Sequence, residues 1–215
     1  MLRYIYGCDL HRTPKLQSTM HRDRAQQFAQ RLKWAVHVDS EGWERDEYDR
    51  PDTLYVIWEM PDGSHGGSLR LLPTQGAVMV NDHFADLLPD GPIQTPEIWE
   101  CTRFCLRDGA PSFVAGALML GGGEVMRAHR LTHLLGVFDA RMVRIYRLLG
   151  SSPLVLGQSG KGRDQISVGL WSFCQADRYK VLRRASISSD VSEHWFLRAM
   201  GTRVQQTLVP LGATG

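Results

Sequence analysis

The spacing of apolar residues near the start of the chain predicts an amphipathic helix. Apolar positions recur at helical intervals between Ala25 and Leu32. Ser18 or Thr19 is placed to cap the N-terminus of this helix, which we expect to end near Trp34. One face of the helix is therefore expected to pack on the rest of the protein.

A change from helical to alternating spacing predicts a β-hairpin after this helix. Thr53 to Met60 is rich in β-branched and aromatic residues, and Pro61-Asp62-Gly63 signals a turn before a second extended run, Gly67 to Leu72. We further predict a strand over Ala77 to Asn81 and a short helix over His83 to Leu88.

The second half of the chain alternates between strand and helix patterns. Glu97 to Leu106 is typical of a central strand, and Ser112 to about His133 is helical in pattern. Because Gly121-Gly122-Gly123 interrupts that helical run, we expect the helix to be bent or split there. We then predict a buried strand at Leu134 to Phe138, a helix at Ala140 to Leu149 and a further strand at Ile166 to Phe173. Two helices close the chain.

The order of these elements favours one α/β domain with a mixed central sheet. Helices before, between and after the strands would cover both faces of the sheet, which gives a three-layer α/β/α sandwich. The length of 215 residues suits a single domain spanning residues 1–215. We find no internal repeat or low-complexity linker that would divide it.

Composition narrows the class of protein further. The chain lacks an apolar run near the roughly 20 residues of a membrane span and a secretory h-region. Its four cysteines include no CxxC pair, and His129 and His133, which are four residues apart, have no Glu or third ligand with them for a metal. We therefore expect a cytoplasmic protein without a membrane segment, a metal site or a resident cofactor.

Charge is balanced overall but uneven along the chain. The net charge is +2. Between residues 39 and 62, nine acidic residues stand against two arginines, and between residues 127 and 184, eleven basic residues stand against three aspartates. A basic second half can attract an acidic carrier protein or nucleic acid, and it can equally be a solvated face.

Charged residues inside predicted strands are the most informative local feature. Arg70 lies in an otherwise apolar strand, and Glu100 and Arg103 interrupt the central strand. Buried charges are normally paired or bound to a ligand. Two readings stay open here, namely a ligand site for a molecule with a cation and a carboxylate, or an ion cluster made of Arg24, Arg70, Arg103, Asp46, Asp49 and Glu100.

Several motifs occur in a fixed order across the first half of the chain. They are Arg24-(x)3-Phe28-(x)5-Trp34, Glu44-Arg45-Asp46-Glu47-Tyr48-Asp49, Arg70-Leu71-Leu72-Pro73-Thr74, Phe84 and Trp99-Glu100-Cys101-Thr102-Arg103-Phe104. This order resembles that of the LuxI-type autoinducer synthases, which are acyl-homoserine-lactone synthases. The resemblance rests on nine characteristic positions in the first half of the chain. The second half resembles the family in its general layout.

The resemblance implies a fold, a reaction and two substrates. The fold would be similar to that of the GNAT N-acyltransferases. The substrates would be S-adenosylmethionine and an acyl thioester, carried on acyl carrier protein or coenzyme A. Acylation of the methionine amine followed by lactone closure would release methylthioadenosine and give a quorum-sensing signal, with no cofactor, nucleic acid or membrane required.

The resemblance also implies residue roles. Glu100 would be the catalytic base, and the S-adenosylmethionine pocket would contain Arg24, Phe28, Trp34, Asp46, Asp49 and Arg103. Arg70, Phe84 and Phe104 would support that pocket. Synthases of 3-oxo products often carry Ser or Thr near position 138, where this chain has Phe138, so we expect a medium-to-long unsubstituted acyl chain. Carrier-protein docking is expected at Arg141, Arg144 and Arg147.

Strand geometry raises one difficulty for this assignment. Glu100 and Arg103 are an odd number of residues apart, so a regular strand would place them on opposite faces of the sheet. A β-bulge between them, or different roles for the two, would resolve this.

Two other functions remain as alternatives: a GNAT-type acetyltransferase acting on an unrelated amine, and a basic nucleic-acid-binding module. Neither is supported by a recognisable motif.

Overall fold

Seven strands form one mixed sheet in the computed structural model, which describes residues 1–172 and 174–208. The strand order across the sheet is β1-β2-β3-β4-β5-β7-β6. Only β4 and β5 pair in parallel, and every other neighbouring pair is antiparallel. The strands are β1 (Leu2–Tyr6), β2 (Leu54–Glu59), β3 (His65–Pro73), β4 (Ile98–Leu106), β5 (His133–Asp139), β6 (Leu154–Ser159) and β7 (Ile166–Ser172).

Six α-helices accompany the sheet in the described residues. They are α1 (Pro14–Ala25), α2 (Met79–His83), α3 (Phe113–His129), α4 (Ala140–Leu149), α5 (Gln175–Ala185) and α6 (Ser189–Leu208). A π-helical turn, Gln26–Arg31, continues α1, and short 3-10 segments lie at Gly7–Arg12, Ala85–Leu87 and Gly162–Asp164. Within the described range, no helix has both the length and the apolar character needed to cross a bilayer.

Both faces of the sheet are covered, which confirms the predicted three-layer α/β/α architecture. On one face, Leu54, Leu69 and Leu71 of β2 and β3 pack in a single cluster with residues of α3, α5 and α6. On the other face, Leu16 and Met20 of α1 pack on the next residues of β2. Alternate residues along β2 are thus buried in two separate cores.

Most predicted elements are confirmed, and several details are wrong. The first helix does not run to about Trp34, since α1 ends at Ala25 and the π-helical turn that continues it ends at Arg31. The hairpin is β2 and β3, the central strand is β4, and the later elements are β5, α4, β7 and the two closing helices. Phe173, the last residue predicted for β7, lies outside the described residues. The first helix begins at Pro14, not at Ser18 or Thr19, because proline suits the first turn and Thr19 Oγ1 donates to the Lys15 carbonyl within the helix. Strands β1 and β6 were not predicted.

The segment predicted as a strand at Ala77 to Asn81 turns into helix α2. Val78 is still extended, but the backbone N–H groups of Met79 and Val80 donate to the carboxylate of Glu100 at 3.1 and 2.6 Å. A carboxylate that caps exposed N–H groups favours the start of a helix. The strand prediction failed because this partner lies 20 residues further along the chain.

The predicted bend or split of the third helix is also wrong, since α3 is continuous from Phe113 to His129. Its glycines allow close packing on the sheet. A Cβ atom on Gly121 would lie 2.5 Å from Cγ1 of Val56 in β2. The helix keeps its hydrogen-bonded course because the glycines face the buried side, where tertiary packing decides the conformation.

Strands β4 and β5 separate along their length. They are paired only where Ile98 to Glu100 lies beside His133 to Leu135, although β4 continues to Leu106 and β5 to Asp139. The two parallel strands therefore leave a gap in the middle of the sheet, and residues on either side of that gap are available to a ligand.

Candidate active site

A buried network of three arginines and three carboxylates holds the acidic loop, residues 39–51, against the sheet. Arg24 of α1 bonds Glu44 at 2.6 Å and pairs with both oxygens of Asp49 at 2.8 and 2.9 Å. Arg70 of β3 bonds both oxygens of Asp46 and lies 3.0 Å from Asp49. The loop thereby ties α1 to β3.

Arg103 completes the network from β4. Its Nε and Nη2 atoms lie 3.0 and 2.9 Å from Glu44 Oε1, and Nη2 lies 2.7 Å from Asp46. Three positive and three negative side chains thus cancel within one cluster. The expected ion cluster exists, but Glu44 occupies the place that the sequence analysis gave to Glu100.

Burial makes this network stiff. Arg24, Arg70 and Glu44 are almost completely buried. Burial alone would raise the pKa of Asp49, but the charges of Arg24 and Arg70, with a 2.6 Å hydrogen bond from Tyr55, lower it below its ordinary value. Asp49 therefore stays ionised, and the loop is held by charge-assisted hydrogen bonds.

A β-bulge in β4 places Glu100 and Arg103 on the same side, which confirms the geometric resolution expected from the sequence. Arg70 lies opposite Thr102 and Ser68 lies opposite Cys105, so one residue of β3 faces two residues of β4. Arg103 is in the bulge and has a positive φ of 52°. Its ion pairs hold a conformation that a side chain disfavours.

A cavity of about 700 Å³ passes through the gap between β4 and β5. Residues from both faces of the sheet line it. The end beside α1 is aromatic and cationic, with Phe28, Trp34, Phe84 and Arg103. The end beside α3 is apolar and is lined by Leu69, Met119, Gly122, Met126, Leu134 and Trp171.

The end beside α1 is built on stacked aromatic rings, which we call the aromatic end. The rings of Phe28 and Trp34 are stacked with centroids 5.2 Å apart and planes inclined by 13°. The guanidinium carbon of Arg103 lies 5.4 Å from the Phe28 ring centroid. Trp34 is 41% exposed, so its ring is open to a bound molecule. Such faces attract cations.

The end beside α3 is shaped by three aromatic side chains. Phe138, Tyr146 and Trp171 meet edge to face, with ring centroids 4.9 to 5.6 Å apart. All three line the cavity. The indole Nε1 of Trp171 is buried and has no hydrogen-bond partner among the described residues. A donor left unpaired in such a place is costly unless a ligand accepts from it.

The predicted site residues divide into two groups in the structure. Those that line the cavity are Phe28, Trp34, Phe84, Arg103, Phe104, Phe138 and Arg141. Arg24, Asp46, Asp49 and Arg70 lie behind them in the ion network. The structure therefore brings the predicted residues together in two layers, one facing the cavity and one supporting it.

Glu100 belongs to the second layer but differs from the ion network in its chemistry. Its carboxylate accepts the two backbone hydrogen bonds from α2, and Met79, one of the donors, lines the cavity with Thr102. Burial raises the pKa of Glu100 to about 7, although those two hydrogen bonds oppose the rise. A carboxyl group with such a pKa exchanges protons near neutral pH.

The three arginines predicted to dock a carrier protein are not equivalent. Arg141 pairs with Asp139 at 2.5 Å and lines the cavity, whereas Arg144 and Arg147 lie on the exposed side of α4. Leu148, on the same helix, is 55% exposed. The exposed side of α4 thus combines two cations with apolar surface.

Several residues of the site had no predicted role. Glu44 was one acid among nine in an acidic stretch, and only the fold shows that it lies between Arg24 and Arg103. Gly122 and Trp171 were read as parts of a helix and a strand. No local signal distinguishes these residues, because the cavity forms from segments that are distant in sequence.

Known proteins share both this sequence pattern and this fold. The sequence model described as autoinducer synthase matches residues 9–181. The chain belongs to the autoinducer synthase family. It is 38% identical over 191 residues to an acyl-homoserine-lactone synthase of Rhizobium etli, covering 85% of this chain and 89% of that protein. The resemblance found in the sequence is therefore confirmed, and the enzyme is an acyl-homoserine-lactone synthase, an acyltransferase of autoinducer synthesis.

Solved structures agree with the fold. A CoA-dependent acyl-homoserine lactone synthase, BjaI, solved with SAM and isopentyl-CoA, has a TM-score of 0.77 at 19% identity and covers 92% of this chain and 99% of that one. An acyl-CoA N-acyltransferase from Pseudomonas aeruginosa has a TM-score of 0.53 at 15% identity, covering 80% and 99%. The GNAT-like fold expected from the sequence is thereby confirmed.

Proposed function

We propose that this enzyme transfers an acyl group from a thioester to the amine of S-adenosylmethionine and then closes the lactone ring. The observation that carries the proposal is a cavity through the sheet that is aromatic and cationic at one end and apolar at the other. Its volume lies within the range of about 300–1,000 Å³ that small-molecule sites occupy. Two substrates entering from opposite faces would meet at the gap between β4 and β5.

The aromatic end suits S-adenosylmethionine. The stacked Phe28 and Trp34 rings offer faces to the sulfonium and to adenine. The Nε and Nη2 atoms of Arg103 pair with Glu44 and Asp46. Its Nη1 atom can therefore donate to the methionine carboxylate. Phe84 closes the same end of the cavity.

The supporting layer acts on this pocket indirectly. Arg24, Asp46, Asp49 and Arg70 hold the acidic loop and fix the guanidinium of Arg103. Phe104, which follows Arg103 in β4, lines the passage between the two ends. We propose that these residues position the pocket and do not bind S-adenosylmethionine themselves.

Glu100 is the proposed base for the first step. Its pKa of about 7 leaves much of it ionised near neutral pH, so it can accept a proton from the ammonium group. Because Met79 and Thr102, and not Glu100, line the cavity beside it, the proton would pass through a water molecule. The free amine then attacks the thioester carbonyl, the amide C–N bond forms, and the C–S bond breaks to release the thiol.

The second step needs geometry more than further acid–base groups. The methionine carboxylate oxygen attacks the carbon bonded to the sulfonium, the ring C–O bond forms, and methylthioadenosine leaves with the electron pair of the broken C–S bond. A site that keeps the amide folded gains from proximity. Neither step requires a resident cofactor.

The apolar end suits the acyl chain. We propose a medium-to-long unsubstituted chain, because Phe138 and its aromatic neighbours line this part of the cavity and residue 138 carries no hydroxyl group. One observation favours a second candidate, a 3-oxo chain. The unpaired Nε1–H of Trp171 would gain an acceptor from an oxygen on the acyl group.

The acyl donor is proposed to be acyl carrier protein or coenzyme A. The structural neighbour BjaI was solved with isopentyl-CoA, which supports a coenzyme A donor. The basic and apolar face of α4 at Arg144, Arg147 and Leu148 supports docking of an acidic carrier protein. We also propose a cytoplasmic location, since all four cysteines are unpaired, as is typical of reducing compartments.

A donor panel tests these proposals. The enzyme is incubated with S-adenosylmethionine and hexanoyl, octanoyl, decanoyl and 3-oxo-octanoyl thioesters, each on coenzyme A and on acyl carrier protein, and kcat/KM is measured. We expect the highest value for an unsubstituted chain of eight carbons or more. A 3-oxo donor that is better by tenfold or more, with the preference lost in Trp171→Phe, would overturn the unsubstituted assignment in favour of the second candidate.

A further inference from the structure

Helix α3 contains three consecutive glycines in its buried middle turn, at residues 121–123. Glycine is less favourable than alanine in a helix interior, because it loses more backbone freedom on folding. A helix that keeps three of them in a row therefore needs a reason at each position, and the structure supplies different reasons for two of them.

Packing explains Gly121 but not Gly122. A Cβ atom on Gly121 would lie 2.5 Å from Val56 Cγ1, so the sheet requires the absence of a side chain there. A Cβ atom on Gly122 would lie 3.6 Å from Leu134 Cδ1 and 3.9 Å from Leu69 Cδ2, which are ordinary van der Waals distances. Among the described residues, no atom lies close enough to exclude a Cβ atom at Gly122.

That place belongs to the apolar end of the cavity. Gly122 lines the cavity, together with the two leucines that its Cβ would contact, and Met119 and Met126 line it from the same helix. Methionine side chains adapt their shape to a neighbour, whereas the backbone of α3 cannot move without disturbing the contact of Gly121 with β2. Position 122 is therefore a fixed part of the cavity wall.

We propose that Gly122 sets the longest acyl chain that the enzyme accepts, its missing side chain leaving room for the end of the chain. This inference rests on the proposed function, because it takes the apolar end to be the acyl site. Each methylene that loses its buried place should lower kcat/KM roughly fourfold, the equivalent of about 0.8 kcal/mol per buried CH₂. The loss should grow with donor length, because the proposal gives the space at position 122 to the end of a long chain.

Gly122→Ala and Gly122→Leu test the proposal against Gly201→Ala as a matched control. Gly201 is in helix α6, and its Cβ would have no neighbour within 4 Å, so the control adds the same methyl group to a helix away from the cavity. Because alanine favours helix and fits at position 122, Gly122→Ala should melt no lower than wild type. Thermal unfolding of each variant checks this.

The readout is kcat/KM for butanoyl, hexanoyl, octanoyl, decanoyl and dodecanoyl thioesters, on whichever carrier supports wild-type turnover. We expect the ratio of the longest accepted donor to hexanoyl to fall roughly fourfold in Gly122→Ala and tenfold or more in Gly122→Leu, with no change in Gly201→Ala. An unchanged ratio in both Gly122 variants would overturn the proposal. Absence of acyl-homoserine lactone from wild type with every donor would instead refute the proposed function.

Discussion

Replacing Glu44 with glutamine is a severe test of the ion network. The carboxylate is fully buried and bonds Arg24 at 2.6 Å and Arg103 at 2.9 and 3.0 Å. Glu44→Gln keeps the shape but removes one charge, so three guanidinium groups, two of them fully buried, would face only two carboxylates. Breaking a buried ion pair in this way costs about 3–5 kcal/mol. A domain of this size has about 5–15 kcal/mol of stability in total.

Urea unfolding followed by circular dichroism measures this loss, with Glu47→Gln as the control. Glu47 is in the same loop, its side chain is 67% exposed, and it lies 3.7 Å from His83. The control should change the free energy of unfolding by no more than about 0.5 kcal/mol. If Glu44→Gln unfolds at the same urea concentration as Glu47→Gln, with an equal slope, the network does not hold the loop as argued.

Three further predictions concern the base, the helix packing and the carrier. The proposed base, Glu100, would act in its deprotonated form, and its pKa is raised to about 7. We therefore expect kcat/KM to rise with pH through about 7, and Glu100→Gln to lose that rise and fall roughly 100-fold or more. A flat wild-type profile would count against this base. Gly121→Ala should destabilise the fold by about 1–3 kcal/mol in urea unfolding through overpacking on β2, and a gain in stability would contradict the packing argument. The double change Arg144→Glu/Arg147→Glu should raise KM for an acyl carrier protein donor, more so at low salt, while Arg198→Glu on the exposed side of α6 should not; equal KM values would exclude this docking face.

The parts of the fold that follow from local pattern were predictable. The β2–β3 hairpin carries its turn signal in Pro61-Asp62-Gly63, and β4, β5 and β7 carry runs of apolar residues. Helix α2 was not predictable, because it begins where the carboxylate of Glu100, remote in sequence, accepts its first N–H groups. Likewise, local pattern suggested a break at Gly121-Gly122-Gly123, whereas the contact with β2 keeps α3 continuous.

The candidate site shows the same division. The ordered motifs identified the family and predicted that Phe28, Trp34 and Arg103 meet. The odd spacing of Glu100 and Arg103 allowed a bulge as one of two explanations, and the structure has the bulge. The roles of Glu44 and Gly122 could not be predicted, because each depends on which distant segments face one another. The sequence contains the arginines and the acidic residues of the ion network, but the fold is needed to show which of them pair.

The most direct test of the central claim is the stoichiometry of the reaction. Purified enzyme is incubated with S-adenosylmethionine and an octanoyl thioester, and methylthioadenosine and octanoyl-homoserine lactone are quantified together by mass spectrometry. We expect the two products to accumulate one to one, and to stop when either substrate is omitted. Methylthioadenosine without lactone, or an acylated amine that keeps its sulfonium, would contradict a cavity that joins both steps.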